Sequence, residues 1–368
     1  MRVGIDVRLD YYRPGGIAEY VRHLVDELAT LDRETAYYVI HHFRARDTLA
    51  PGANMKRVNT ITPSHHRLER WTLPLELRRH HLDLLHSPDV IPPQGGARRQ
   101  VITVHDLHFL HYPAFMTAAS RRYYNDQIAW AVRHADHILV DSQATRDDLG
   151  NLLSVPGDKM TVHMLGVDPD FRPLPPAAIE PVRARLGLPE SYILFVGTFE
   201  PRKNIPGLLD AYRALRQDLP DAPPLVLVGR RGWLYDDIFQ QVNALGLAPH
   251  VIWIENVARD DLPAIYSGAD VLALPSHYEG FGLTALEAMA CGTPPVAANR
   301  SSLPEVVGDA GLLVDPDDPA AISGALQALL VDDSLRAELG RAGVTRAAAF
   351  TWRRTAEIAL DVYRLCLE

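Results

Sequence analysis

Apolar positions along this chain fall into two alternating rhythms. Compact, mostly apolar runs bounded by turn-forming residues are separated by longer segments whose apolar residues recur at three- and four-residue steps. The first rhythm fits a buried parallel strand and the second an amphipathic helix, so their alternation predicts parallel sheets wrapped by helices. In the first half the strand candidates are RVGIDV, YYVIHHF, LDLLHS, QVITVHD, HILVDS and MTVHML, with helices over 17–31, 119–134 and 143–153. The rhythm restarts with SYILFVG, PLVLVG, HVIWIE, DVLALP, PPVAA and GLLVD, with helices near 205–217, 236–246, 259–268, 284–291 and 318–331.

Between the halves lies DPDFRPLPPAAIEP, residues 168–181. Its prolines suit neither a helix interior nor a central strand, so it reads as a linker. The expected organisation is an α/β domain over 1–170, a linker over 171–186, a second α/β domain over 187–350, and a helix over 351–368. That helix, TWRRTAEIALDVYRLCLE, offers Trp352, Ile358, Leu360, Val362 and Leu365 for packing, on the second domain or back on the first.

Length and composition agree with this division. A chain of 368 residues suits two domains, and 47% apolar with 23% charged residues supplies two cores and argues against disorder. A net charge of -9 disfavours a broad nucleic-acid footprint while leaving room for a local basic patch. Cys291 and Cys366 are the only cysteines, which excludes a disulfide scaffold and fits a reducing compartment. MRVGIDV opens as a strand, not as a signal peptide, and no apolar run reaches membrane-spanning length, so a cytoplasmic location is expected. The pairs His41/His42, His65/His66 and His80/His81 lack metal-ligand spacing and read as surface or structural residues.

Open parallel sheets take ligands beyond the carboxyl ends of their strands, and several residues map to that edge. Gly15-Gly16 follow the first strand and precede a helix, which fits either a plain turn or a loop open to a ligand; the pattern is not the dinucleotide G-x-G-x-x-G. His105, followed by Asp106, ends the strand VITVHD, facing a cleft or else paired with the neighbouring carboxylate. In LFVGTFEPRKN, Gly197 ends a strand and Arg202 and Lys203 precede a helix. Cations there oppose the helix macrodipole, so a diphosphate partner is the more natural explanation.

The segment SHYEGFGLTALEAMACGTP, residues 276–294, carries two carboxylates around a glycine-rich turn. Thr284 and Glu287 fit a capping box, which accounts for Glu287 structurally. Glu279, Gly280 and Gly282 are left unexplained by a cap. Carboxylates accept paired sugar hydroxyls, so two of them beside basic residues suit a ligand with hydroxyls on both sides of a diphosphate, such as a nucleotide-sugar.

EGFGLTALE resembles the E-x7-E motif of retaining GT-B glycosyltransferases, and the longer segment SHYEGFGLTALEAMACGTPPVAANRSSLPEVVGDAGLLVDP resembles its extended form in glycosyltransferase family 4. VGTFEPRKN, TVHDL, VDSQATRDDL, LGVDPDF and GGIAEYVRHL extend the resemblance over nearly the whole chain, closest to a mannosyltransferase-like subgroup. Thr284, where proline is common, and the PPV and NRSSLPEV segments depart from the usual pattern without removing a charged group.

The resemblance implies two Rossmann-like doubly wound domains facing a central cleft, with the donor mainly on the C-terminal domain and the acceptor mainly on the N-terminal one. By motif position, Glu279 would contact the donor sugar and Glu287 the ribose. The amides of Phe281, Gly282, Leu283 and Thr284 would line sugar and phosphate. Arg202 and Lys203 would hold the diphosphate, Gly16 would close over it, His105 would sit beside the transferred sugar, and Asn256 and Val257 would border the base.

The implied reaction is hexosyl transfer with retention from a nucleoside diphosphate sugar, GDP-mannose first and UDP- or ADP-glucose next, to a sugar or lipid-linked glycan. No metal or other cofactor is implied, and Asp168-Pro169-Asp170 and Asp315-Pro316-Asp317 read as turns. A nucleotide-sugar epimerase, a sugar phosphorylase and a non-catalytic nucleotide-sugar scaffold are the competing readings. HHRLERWTLPLELRRHHLDLLH, residues 65–86, mixes Arg, Trp71 and Leu and suits either a helix on the first sheet or contact with the inner membrane face.

Overall fold

The strands lie where the apolar runs fall, because a parallel strand covered on both faces needs apolar residues on both. The computed structural model describes residues 1–12, 15–66, 68–89, 91–116, 118–232 and 236–368. In the first half β1 (Arg2–Asp6), β2 (Ala36–His42), β3 (Met55–Thr60), β4 (Leu82–Ser87), β5 (Ala97–Val104), β6 (His137–Val140) and β7 (Met160–Val162) form a parallel sheet in the order β3-β2-β1-β4-β5-β6-β7. The second sheet contains β8 (Ile193–Val196), β9 (Leu225–Val228), β10 (Val251–Ile254), β11 (Val271–Leu274), β12 (Pro295–Ala298) and β13 (Leu312–Val314), ordered β10-β9-β8-β11-β12-β13.

Each sheet winds outward from its first strand and then reverses direction. The reversal falls between β1 and β4 in the first sheet and between β8 and β11 in the second. Loops leaving the carboxyl ends on either side of a reversal diverge, which opens a crevice for ligands. The candidate chemistry lies at these two points.

The chain divides into one unit of Met1–Gly166 with Thr351–Glu368 and another of Val167–Phe350. The last helix, Trp352–Leu367, belongs to the first unit, where Tyr363 Oη lies 2.6 Å from His86 Nδ1 and Thr355 donates to the Met164 carbonyl at 2.7 Å. A Cβ on Gly166 would stand 2.1 Å from the Trp352 backbone nitrogen, so the two chain crossings approach this closely only because residue 166 is glycine. Ile102, Val104, Ile138 and Leu149 are central to a core of the first unit, and Phe195, Leu208, Leu225 and Ile322 to the core of the second.

Two expectations about local structure need correction. The proline-rich stretch ends in a helix, Pro176–Leu186. Pro176 occupies the first helical position, where its missing N–H costs nothing, and the interior Pro181 forfeits one helical bond while Ile179 is buried. Strand β3, MKRVNT, is an addition: its apolar residues are too sparse to stand out, and it lies at the edge of its sheet. The two Asp-Pro-Asp segments do form turns, the amides of Asp170 and Asp317 each donating at 3.0 Å to the side chains of Asp168 and Asp315. Among the described residues no helix is long and apolar enough to cross a membrane.

A candidate active site built on a buried carboxylate and two cations

The loop after β8 places Arg202 and Lys203 in a short 3-10 turn, Pro201–Lys203, before the helix Ile205–Asp218. Asn204 sits between them in the left-handed region, caps that helix by accepting from the Gly207 amide, and donates to the Pro316 carbonyl at 2.7 Å. The loop after β11, on the other side of the reversal, brings Ser276 and Glu279 to the same place. Arg202 Nη1 lies 2.8 Å from Glu279 Oε2 and Lys203 Nζ 2.6 Å from Glu279 Oε1, where Ser276 also donates at 2.7 Å. Arg202 further donates to the Tyr278 carbonyl at 3.0 Å and, through Nη2 and Nε, to Glu200 at 2.6 and 2.9 Å.

Glu200, Lys203 and Glu279 are all buried. Burial alone would disfavour the charged form of Glu279, but Lys203 and Arg202 outweigh it and hold the carboxyl at about 2. The acid is therefore a fixed anion that orients two cations. It has accepted three hydrogen bonds, which leaves about one acceptor position for a ligand hydroxyl.

The backbone from Glu279 onward is fixed by two serines. Ser301 Oγ accepts the Glu279 amide at 2.9 Å, and Ser302 Oγ lies 2.9 and 2.7 Å from the carbonyls of Glu279 and Phe281. Gly282, with φ 107°, is the N-cap of the helix Leu283–Ala290. This overturns the capping box. Because the helix starts at Leu283, Thr284 lies within its first turn, and Glu287 Oε2 accepts instead from the Tyr266 hydroxyl at 2.8 Å. Leu283 and Thr284 carry N–H groups of the kind that a first helical turn cannot satisfy internally, and Gly280, Phe281 and Gly282 lead directly into them.

The other anticipated residues fall elsewhere. Gly197 follows β8, its amide bonded to the Val228 carbonyl at 2.9 Å. Asn256 and Val257 follow β10, the edge strand, two strands away from β8. Gly15 and Gly16 begin the helix Gly16–Leu31 of the first unit.

His105 lies in the same unit just beyond β5, and its partner is Asp141, after β6, while the neighbouring Asp106 pairs with His108. Nδ1 lies 2.7 Å from Asp141 Oδ2 and Nε2 2.8 Å from the Pro88 carbonyl. Two acceptors on one ring require both nitrogens to donate. Burial opposes that charge, but Asp141 overcomes it and raises His105 to about 9. Asp141 also binds His163 Nε2 at 2.9 Å, and the buried Tyr20 ring packs edge-on against both histidines. Glu200, Ser276, Ser301, Ser302 and Asp141 were not singled out in the sequence. All of them lie in segments quoted for the family resemblance, and Glu200 is an acidic residue two positions before Arg202 in the same loop.

Residues 179–346 match the family described as Glycosyl transferases group 1, and residues 14–171 match Glycosyltransferase Family 4. O-antigen chain mannosyltransferase B of Escherichia coli is 36% identical over 303 residues, 82% of this chain and 78% of that protein. D-inositol 3-phosphate glycosyltransferase of Corynebacterium kroppenstedtii is 30% identical over 385 residues, 95% and 85% of the two chains. The structure of Anabaena HepE in complex with UDP-glucose superposes with a TM-score of 0.76 at 20% identity, covering 99% of each chain. The two parallel-sheet units are the Rossmann-like units of a GT-B fold.

Proposed function

The chain belongs to glycosyltransferase family 4, and from that membership we propose that it transfers a hexosyl group, mannose first, from a nucleoside diphosphate sugar to an acceptor hydroxyl with retention of configuration. The observation that carries this reading is the buried Glu279 carboxylate shared by Arg202 and Lys203 beside the helix start at Gly282. Arg202 is largely committed to Glu279, Glu200 and Tyr278, so it positions the carboxylate. Lys203 keeps donors for the diphosphate, joined by the amides of Gly282, Leu283 and Thr284. Positive charge aimed at the leaving group lowers the barrier most, because that is where negative charge develops.

The bond from the sugar anomeric carbon to the diphosphate breaks with its electron pair leaving on phosphate. The acceptor oxygen bonds that carbon from the same face, and its proton passes to the departing phosphate oxygen. Neither an enzyme nucleophile nor a divalent ion is needed in this scheme, since fixed cations offset the leaving charge. Glu279 accepts a hydroxyl of the donor sugar, Glu287 the ribose, Gly16 and Gly197 border the phosphates, and Asn256 and Val257 border the base. His105 supplies a fixed positive charge near the transferred sugar.

We assign the product to a polysaccharide, lipopolysaccharide or glycolipid, a reading supported by the O-antigen relative. The helix Glu69–Leu77, with Trp71 and Leu75 exposed, is the proposed contact with the inner membrane face. The test is a thermal-shift screen of GDP-mannose, UDP-glucose and ADP-glucose, followed by turnover with the best binder and NMR assignment of the product anomer. Donor consumption without an acceptor would point to an epimerase, and a Glu279→Ala variant as fast as the parent would remove the site assignment.

A further inference from the structure

The carboxyl ends of β5, β6 and β7 carry a row of residues that strand register lines up. Val104 pairs with Val140 and Val140 with Val162, so the residues one step further, His105, Asp141 and His163, fall side by side across three neighbouring strands. Side chains so aligned leave the same face of a sheet. The His163 amide continues the ladder past β7, donating to the Val140 carbonyl at 3.0 Å. The central carboxylate is thereby met from both sides, Oδ2 by His105 Nδ1 at 2.7 Å and Oδ1 by His163 Nε2 at 2.9 Å. Exposure falls along the row: the side chain of His105 is 14% exposed, that of Asp141 3%, and that of His163 is wholly buried. Of the three, His105 alone keeps a surface for a ligand, and His163 can act on one only through Asp141.

A buried histidine is ordinarily a structural group with both nitrogens satisfied, and His86 is one. Its Nδ1 lies 2.6 Å from the Tyr363 hydroxyl and its Nε2 2.8 Å from that of Thr103, while burial pushes it down to about 3 and keeps it neutral. His163 differs. Its Nε2 must carry the proton that Asp141 accepts, and its buried Nδ1 has no hydrogen-bond partner among the described residues. A buried polar atom left unpaired is costly, so packing alone favours an apolar side chain at this position over an imidazole. What an apolar residue would forfeit is the bond to Asp141. That bond helps to hold the Asp141 carboxyl below its usual range against burial, and among the described residues no side chain other than the two histidines donates to it. The other titratable groups facing the row are Tyr20 of the helix Gly16–Leu31, whose ring packs edge-on against both histidines, His86 on β4, and Asp89 in the loop after β4.

We propose that His163 is a positioning residue of the transfer reaction, which through Asp141 fixes the His105 ring beside the sugar being transferred. This rests on the transfer reading above and deepens it by one residue that touches no substrate. His105 keeps its own two acceptors when His163 is replaced, so what is lost is orientation and not charge.

Nitrogen-resolved NMR of the full chain tests the row without any substrate. In the parent at neutral pH, His163 is the tautomer with a proton on Nε2 and a bare Nδ1, and the Nδ1 proton of His105 is protected from exchange. His163→Phe reduces that protection by about tenfold and lowers kcat by about tenfold with donor KM unchanged. His163→Gln, whose amide can supply the missing N–H, restores both to within about twofold of the parent. Where the Phe variant does not keep the parent's unfolding midpoint, His163→Leu takes its place, and the tautomer of the parent is read without any variant. A proton on Nδ1 of His163 in the parent overturns the proposal. So does full protection of the His105 proton in a folded Phe or Leu variant, a Gln variant no better than that one, or an unchanged kcat once protection is lost. Absence of transfer by the parent with every donor screened overturns the transfer reading and the reaction role with it, while the spectra still decide whether His163 orders His105.

Discussion

Lys203 Nζ lies 2.6 Å from Glu279 Oε1 although 76 residues separate them, and both side chains are buried. Their loops leave neighbouring strands at the reversal of the second sheet, so the topology brings this pair together. Glu279 is held at about 2 against an ordinary value of 4.5, so its contribution to stability is complete above about 4.5 and is lost as the pH falls toward 2. The shift corresponds to about 3 kcal/mol. Glu279→Gln is expected to be less stable than the parent by about that amount at neutral pH, with the gap closing between about pH 4.5 and about pH 2. Denaturant unfolding across that range measures it, and a gap independent of pH would contradict the assignment.

Lys203→Ala leaves Arg202 to hold Glu279 but removes the cation proposed to face the leaving group. Transfer should slow by about a hundredfold in kcat, the scale for losing one donor aimed at developing charge, with a smaller change in donor KM. Steady-state kinetics with the donor found by screening decides this; a pure KM effect would make Lys203 a binding residue only.

Gly282 begins the helix Leu283–Ala290 with φ 107°, and a Cβ there would stand 2.8 Å from Leu303 Cδ2. Leu303 has a flexible side chain that can yield, so the backbone strain dominates at about 1–2 kcal/mol. Gly282→Ala should therefore lower the unfolding midpoint modestly while reducing donor affinity more, because the amides of this turn shift together. Donor affinity that is unchanged in a destabilised variant would separate the turn from the ligand.

Much of this arrangement was readable beforehand because a doubly covered strand must be apolar throughout, as VLAL and ILFV are. The misses have equally physical origins. MKRVNT is an edge strand with little apolar content, and PAAIEPVRARL is a helix that places one proline where no N–H is needed. Thr284 looked like a cap because side-chain spacing cannot show that Gly282 adopts a left-handed conformation two residues earlier. Likewise His105 has an acidic neighbour in sequence, but the pairing of β5 with β6 supplies Asp141 from 36 residues away. Contacts made by strand adjacency leave no trace in local spacing.

The helix Glu69–Leu77 buries Leu73 and Leu77 against Ile40, Val58 and Leu82, which satisfies the expectation of a helix on the first sheet. Its other face exposes Trp71 at 55% and Leu75 at 73%, and Arg78 and Arg79 follow at the surface. Aromatic and aliphatic side chains beside cations match the boundary of an anionic bilayer. The chain should sediment with vesicles containing acidic phospholipid, and the double variant Trp71→Glu, Leu75→Glu should stay in the supernatant with its fold intact. Equal recovery of parent and variant in the pellet would remove this face from consideration.

His105 offers a test that a merely buried histidine would not pass. Its Nδ1 and Nε2 both face acceptors, Asp141 Oδ2 at 2.7 Å and the Pro88 carbonyl at 2.8 Å, so the ring keeps two protons at neutral pH. Its value is raised from 6.5 to about 9, so the stabilisation is complete below about 6.5 and is lost as the pH climbs through about 9. Imidazole signals in a nitrogen-resolved NMR titration should therefore show His105 changing charge near 9, and transfer should decline on the same alkaline limb. Asp141→Asn removes the main charge that opposes burial and leaves only the Pro88 carbonyl and Asp89 to raise the ring, so the His105 transition should fall from about 9 and the alkaline limb should move with it. If activity kept its alkaline limb while the NMR transition moved, the histidine would be a structural support only. If both moved together, the charge on His105 would be coupled to sugar transfer across the whole titration.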